Sequence, residues 1–159
     1  AVLRVGIAWA GNPGHRRDDD RSIPVKLLAP LAGIEGVQLY RLQLGRADLG
    51  APEFPMVDLT SHVEDLADTA ALIQTLDLVI SVDSAVAHLA GALGRPVWAL
   101  CPLRADWRWQ IEGRDAPWYA SARVFRPQRT AKWAPVIASV AEALACERRF
   151  SAGGSGADR

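Results

Sequence analysis

Residues 78–100 read LVISVDSAVAHLAGALGRPVWAL, and the fold turns on how this stretch is parsed. Leu78 to Asp83 is a short apolar run ending in a carboxylate, the pattern of a parallel strand buried on both faces. Ala85 to Leu93 is a helix, stopped by Gly94 and Pro96. Pro96 to Cys101 is a second buried strand. Strand, helix and strand in so few residues make a βαβ unit, which requires a parallel crossover.

The alternation continues on either side. Arg4 to Ala10 (RVGIAWA) reads as a strand, followed by the polar loop GNPGHRRDDDR. A helix is predicted from Ser22 as N-cap, with Pro24 in its first turn and Val25, Leu27, Leu28 and Leu31 inward. It ends at Gly33 or Gly36. Val37 to Leu44 and Met56 to Thr60 are strands. Asp65 to Leu76 is a helix burying Leu66, Ala70, Ile73 and Leu76. After an aromatic segment, Asp106 to Tyr119, come a short strand, Arg123 to Phe125, and a closing helix, Trp133 to Cys146. The expected fold is α/β: a Rossmann-like parallel sheet with helices on both faces, one domain over residues 1–150, and a disordered Gly/Ser-rich tail over 151–159. Within a few residues of Ala1 the chain enters a strand, without a leading Met. That opening reads as a segment of a longer chain whose missing part lies upstream.

Composition narrows the function. The chain has 159 residues, with Lys+Arg and Asp+Glu both 18, so its formal net charge is zero and no general affinity for nucleic acid is expected. Cys101 and Cys146 stand far apart and read as small buried or half-buried groups without metal-ligand spacing. No leader or transmembrane run appears, and a reducing cytoplasm fits best. GxGxxG after the first strand, GxxxxGK[ST] and GxSxG are all absent, which argues against a dinucleotide enzyme, a P-loop NTPase and a serine hydrolase.

What remains is an anion site at the carboxyl ends of the strands. Ser84 can cap the helix that follows Asp83. The N–H groups of Ala85, Val86 and Ala87 are then free at the positive end of the helix dipole, a setting for phosphate. Ala85 and Ala87 are small enough for close approach. His88, a lone polar ring on an apolar helix, needs a partner: a phosphate or sugar oxygen, or a backbone carbonyl if it is a core histidine. The loop from Trp9 to Ser22 opens on the same edge, where Gly11 permits close approach and Arg16, Arg17 and Arg21 carry positive charge. Asp83 also reads as a strand-end residue helping to cap the helix. Trp107 and Trp109 read as core or interface residues rather than ligand platforms, and Trp133 as packing.

Residues 58–101, DLTSHVEDLADTAALIQTLDLVISVDSAVAHLAGALGRPVWALC, resemble the C-terminal domain of the ADP-heptose:lipopolysaccharide heptosyltransferases, glycosyltransferase family 9. The opening VGIAWAGNP…RSIP is similar to that domain's first strand and the start of its first helix. The likeness is greatest to the domains found after tetratricopeptide repeats in bacterial proteins. It implies the C-terminal half of a GT-B fold, an inverting glycosyltransferase whose donor is a nucleotide diphosphate sugar and whose base lies in a missing N-terminal half. The implied donor site comprises Asp83, Ser84, Ala85, His88 and Arg21, with Gly11 and Asn12 of the first loop beside it. No catalytic residue is assigned in this chain, and no metal or other cofactor is expected. Hexosyl or heptosyl transfer is implied for the full-length protein, with this chain alone inactive. Ala85 stands where the family carries Gly. Trp107 and Trp109 fall outside the family's pattern. The alternative is a non-catalytic Rossmann-like interaction module attached to the repeats.

Overall fold

The structure, a computed structural model, describes residues 2–110, 113–128 and 132–153. Among these residues six strands form one sheet: β1 (Leu3–Ala8), β2 (Val37–Arg41), β3 (Val57–Asp58), β4 (Leu78–Val82), β5 (Val97–Leu100) and β6 (Ala122–Phe125). Every neighbouring pair is parallel, in the order β3-β2-β1-β4-β5-β6. This is the expected Rossmann-like α/β sheet. The strand order reverses between β1 and β4, so a crevice opens beyond their carboxyl ends, where such sheets take ligands.

Among the described residues five α-helices accompany the strands: α1 (Asp18–Arg21), α2 (Ala29–Ala32), α3 (Leu66–Gln74), α4 (Ala85–Ala92) and α5 (Trp133–Gly153). Strand alternation sends side chains to two cores. Val5, Ile7, Ile80, Val82, Trp98 and Leu100 pack under α2 and α5, meeting Leu31, Ile137 and Val140. Ala8, Val79, Val97, Ala99 and Cys101 pack under α3 and α4, meeting Ile73, Ala87 and Ala90. The near-continuous apolar runs of β4 and β5 are thus accounted for by burial on both faces.

α4 ends as its sequence predicts. Gly94 adopts φ +67, and Arg95 N–H and Gly94 N–H bond the carbonyls of Ala90 and Gly91 at 3.0 Å each, a Schellman closure.

Several expectations are corrected. Ser22 is not an N-cap: its N–H closes α1 on the Asp18 carbonyl at 2.8 Å, and its backbone is extended. Ile23 precedes Pro24 and is biased out of the helical region, so helical structure resumes at Val25, first as a 3-10 turn (Val25–Leu28) and then as α2. The polar loop after β1 contains α1, with Asp18 buried. Leu66 is 60% exposed, whereas Ile73 and Leu76 are buried as expected and Thr69 is buried with them. β3 is cut short because Asp58 Oδ1 accepts the Thr60 N–H (2.9 Å) and Oγ1–H (2.6 Å), turning the chain into a 3-10 helix. Cys101 is buried, but Cys146 is exposed on α5. α5 continues through Gly153, so residues 151–153 of the expected tail are helical; 154–159 lie outside the described residues.

Candidate functional site

The site is built where β4 becomes α4. Ser84 occupies the N-cap position (φ −151, ψ 172) without a side-chain cap. Its Oγ lies 3.0 Å from Ser81 Oγ instead. The N–H groups of Ala85, Val86 and Ala87 therefore have no acceptor among the described residues, the first intrahelical bond of the turn running from His88 N–H to the Ser84 carbonyl. Free amides at a helix start, with the dipole behind them, attract an anion.

The loop after β1 forms the opposite wall. Gln43, just past β2, is buried and accepts the N–H groups of Trp9 (3.0 Å) and Ala10 (2.8 Å) on its Oε1. Asn12 Oδ1 accepts the Gly14 N–H at 2.8 Å, an Asx turn that shapes the loop. Asp18 meets Arg46 at 2.7 Å, accepts the Ser22 hydroxyl at 2.9 Å and lies 3.4 Å from Arg21 Nε. Arg46 is held charged by Asp48, against the opposing effect of burial, with Asp18 adding to it.

Arg21 is pinned rather than loose. It donates to the carbonyls of Asp83 (3.2 Å) and Asn12 (3.4 Å), tying the β1 loop to the end of β4. Its guanidinium lies where a Cβ on Gly11 would stand. Gly11 is needed for that arginine, not for a left-handed turn.

His88 finds its partners inside the protein. Its Nε2 lies 3.3 Å from Asp83 Oδ1, and its Nδ1 lies 3.0 Å from the Tyr119 hydroxyl. The ring stacks on Trp109 at 5.0 Å and 30°. Trp109 is fully buried and donates its Nε1–H to Asp83 Oδ1 at 2.8 Å. Both partners considered from sequence, a ligand oxygen and a backbone carbonyl, give way to this Asp83–His88–Tyr119 chain. Burial pushes the Asp83 carboxyl up. The N–H groups of His88 and Trp109, with the positive charge of Arg21, offset this and hold it below the usual carboxylate value.

Two clefts flank the tip of α4. One, of about 410 Å³, is lined by Arg17, Arg21, Asp83, Ser84, Ala85 and His88, with Arg104 and Asp106 opposite. The other, of about 680 Å³, is more apolar, and Gly11, Asn12, Leu44, Leu66, Ala85 and Val86 line it. The seven residues named from sequence thus converge on one edge of the sheet. The carboxylates of Asp65 and Asp68 are committed to capping α3: they accept from Asp68 N–H and Glu64 N–H at 2.9 Å each.

Sequence reading missed Tyr119, Gln43, Arg46 and the burial of Asp18. Each acts through a partner 28 to 34 positions away in the chain, and no local pattern marks such a role. Trp109 and Trp133 are buried, as read, whereas Trp107 and Trp118 are exposed and meet edge-on at 5.4 Å. Among the described residues no three His, Cys, Asp or Glu side chains gather as a metal site, and no helix is long and apolar enough to cross a membrane.

The model of glycosyltransferase family 9 (heptosyltransferase) matches residues 46–142, which include Asp83, Ser84, Ala85 and His88. Protein FlbA of Caulobacter vibrioides is 32% identical over 155 residues, covering 89% of this chain and 25% of that protein. The chain therefore spans about a quarter of that relative's length. With the family's model matched over more than half its length, and with a Rossmann-like sheet, this chain belongs to glycosyltransferase family 9.

Proposed function

We propose that the chain is the nucleotide-sugar-binding domain of an inverting GT-B glycosyltransferase, catalytic only with an N-terminal half that supplies the base. The observation that carries this reading is the set of free amides at Ala85, Val86 and Ala87, opening between two unlike clefts. A diphosphate fits astride the helix tip. The apolar cleft, with Leu44 and Leu66 exposed on its wall, suits a flat base. The cleft carrying Arg17, Arg21 and Arg104 suits phosphate charge and the sugar.

In an inverting transfer an acceptor hydroxyl attacks the anomeric carbon as the bond to the diphosphate breaks. The leaving group gains negative charge as it departs. Amide dipoles and fixed cations aimed at that charge lower the barrier. The base that takes the acceptor proton is assigned to the absent half, because Asp83, the carboxylate at the helix tip, is already engaged by His88 and Trp109.

Calorimetry with UDP, ADP and GDP tests the reading. Micromolar binding of one of them, abolished by Ser84→Tyr at the mouth of the helix, is the expected result. Robust sugar transfer by this chain alone would refute the need for a second half. A non-catalytic interaction module is the second reading, and the exposed Trp107–Trp118 pair outside the clefts favours it. Absence of binding by every nucleotide would select it.

A further inference from the structure

The segment between β5 and β6 turns two aromatic side chains inward onto one histidine. Trp109 lies under the His88 ring, and Tyr119 meets its Nδ1. Both are anchored. Arg126, after β6, donates to the carbonyls of Trp109 and Gln110 at 2.8 Å each. The Tyr119 ring sits against Gly91, where a Cβ would come within 2.5 Å of it. The proton inventory then follows from the partners. Asp83 Oδ1 already receives the Trp109 N–H, and an ionised carboxylate can only accept, so the nitrogen facing it, His88 Nε2, carries hydrogen. When the ring is neutral, Nδ1 is an acceptor and the Tyr119 hydroxyl its donor. Neither ring nitrogen is left for a ligand.

We infer that Tyr119 is a positioning residue of the anion site: its hydroxyl fixes the tautomer and orientation of His88, which serves the cleft as a held ring rather than as a hydrogen-bonding ligand. The inference rests on the donor-site reading for its effect on binding, but not for its effect on His88 itself. Phenylalanine at 119 keeps the ring that packs on Gly91 and removes only the hydroxyl. The imidazole then loses one of two anchors and can rotate about its side-chain torsions or exchange tautomer. Trp109 alone holds a face, not an edge.

Two measurements on the 15N-labelled chain decide the matter. In imidazole 15N correlation spectra the wild-type His88 is expected as a single Nε2–H tautomer with a hydrogen-bonded Nδ1. Tyr119→Phe should move the Nδ1 resonance towards that of an unbonded acceptor. Affinity for whichever of UDP, ADP or GDP binds should fall about five- to tenfold, the size of one neutral hydrogen bond. On a His88→Ala background the same change should leave affinity where His88→Ala alone put it. A further loss on that background, or a loss with an unchanged His88 spectrum, means that Tyr119 touches the ligand itself and overturns the inference. A changed spectrum with unchanged affinity overturns the positioning role. If the wild type takes up no nucleotide, the donor reading fails, and the spectrum alone still decides whether Tyr119 holds His88.

Discussion

Trp109 and Asp83, 26 residues apart, meet through one hydrogen bond of 2.8 Å from the indole N–H to Oδ1, and the same oxygen faces His88 at 3.3 Å. The carboxylate that ends β4 is therefore committed to two donors. Trp109→Phe should leave it short of one and open space in the core, lowering stability by about 2–4 kcal/mol. The pH dependence has a definite sign. The native Asp83 carboxyl lies below its unfolded value of about 3.9, so its contribution is complete above that pH and is lost as pH falls through the native value. Trp109→Phe weakens the depression, so the acid limb should flatten. Urea midpoints between roughly pH 2 and 5 measure this, and an unchanged limb in the variant would contradict it.

Gly91 and Gly33 give opposite expectations for the same substitution. A Cβ at Gly91 would meet the Tyr119 ring at 2.5 Å, whereas at Gly33 the nearest atom is the Pro30 carbonyl oxygen at 3.8 Å. Gly91→Ala gains helix propensity of about 1 kcal/mol but must displace a packed ring, with overpacking costs of about 1–3 kcal/mol. Net destabilisation is expected, together with loss of the Tyr119–His88 contact. Gly33→Ala, at φ −82, should be neutral or stabilising by up to about 1 kcal/mol. Thermal unfolding of the two variants should move the midpoint in opposite directions, or leave it unmoved only for Gly33→Ala.

Among the three consecutive aspartates 18–20 of α1, only the first is buried. Asp18 lies 2.7 Å from Arg46, and their side chains are 6% and 10% exposed. Asp18→Ala removes one partner of a buried pair and should destabilise by about 3–5 kcal/mol. The exposed Asp48, which also pairs with Arg46, reduces that loss towards the lower end. Asp19→Ala, on the exposed face, should stay within about 0.5 kcal/mol of the wild type. Chemical denaturation of the pair gives a direct readout, and equal effects would rule out the buried role.

Much of the fold was readable in advance. Leu78–Val82 and Val97–Leu100 announced themselves as strands buried on both faces. Gly94 announced the helix stop, which its φ of +67 accounts for. Boundaries were less legible where a side chain competed with the backbone. Asp58 ended β3 through its own carboxylate, and Pro24 delayed the second helical segment until Val25. Leu66 was misassigned because it begins α3 on the face towards the cleft, where an apolar residue at helical spacing does not have to be core.

For the site, local chemistry marked the tip of α4: a strand-end aspartate, a small polar residue and three small or apolar residues whose amides emerge free are all consequences of consecutive positions in the chain. That is what the amino-acid order determines by itself, because hydrogen-bond periodicity within a helix is a local property. Which groups reach that tip is decided only by packing. Tyr119 and Trp109 arrive from the far side of β5, Arg21 is drawn onto two carbonyls, and Asp18 is paired with Arg46, 28 positions along the chain. Their partners are distant along the chain and adjacent only once the sheet has closed, so no periodicity or spacing encodes them.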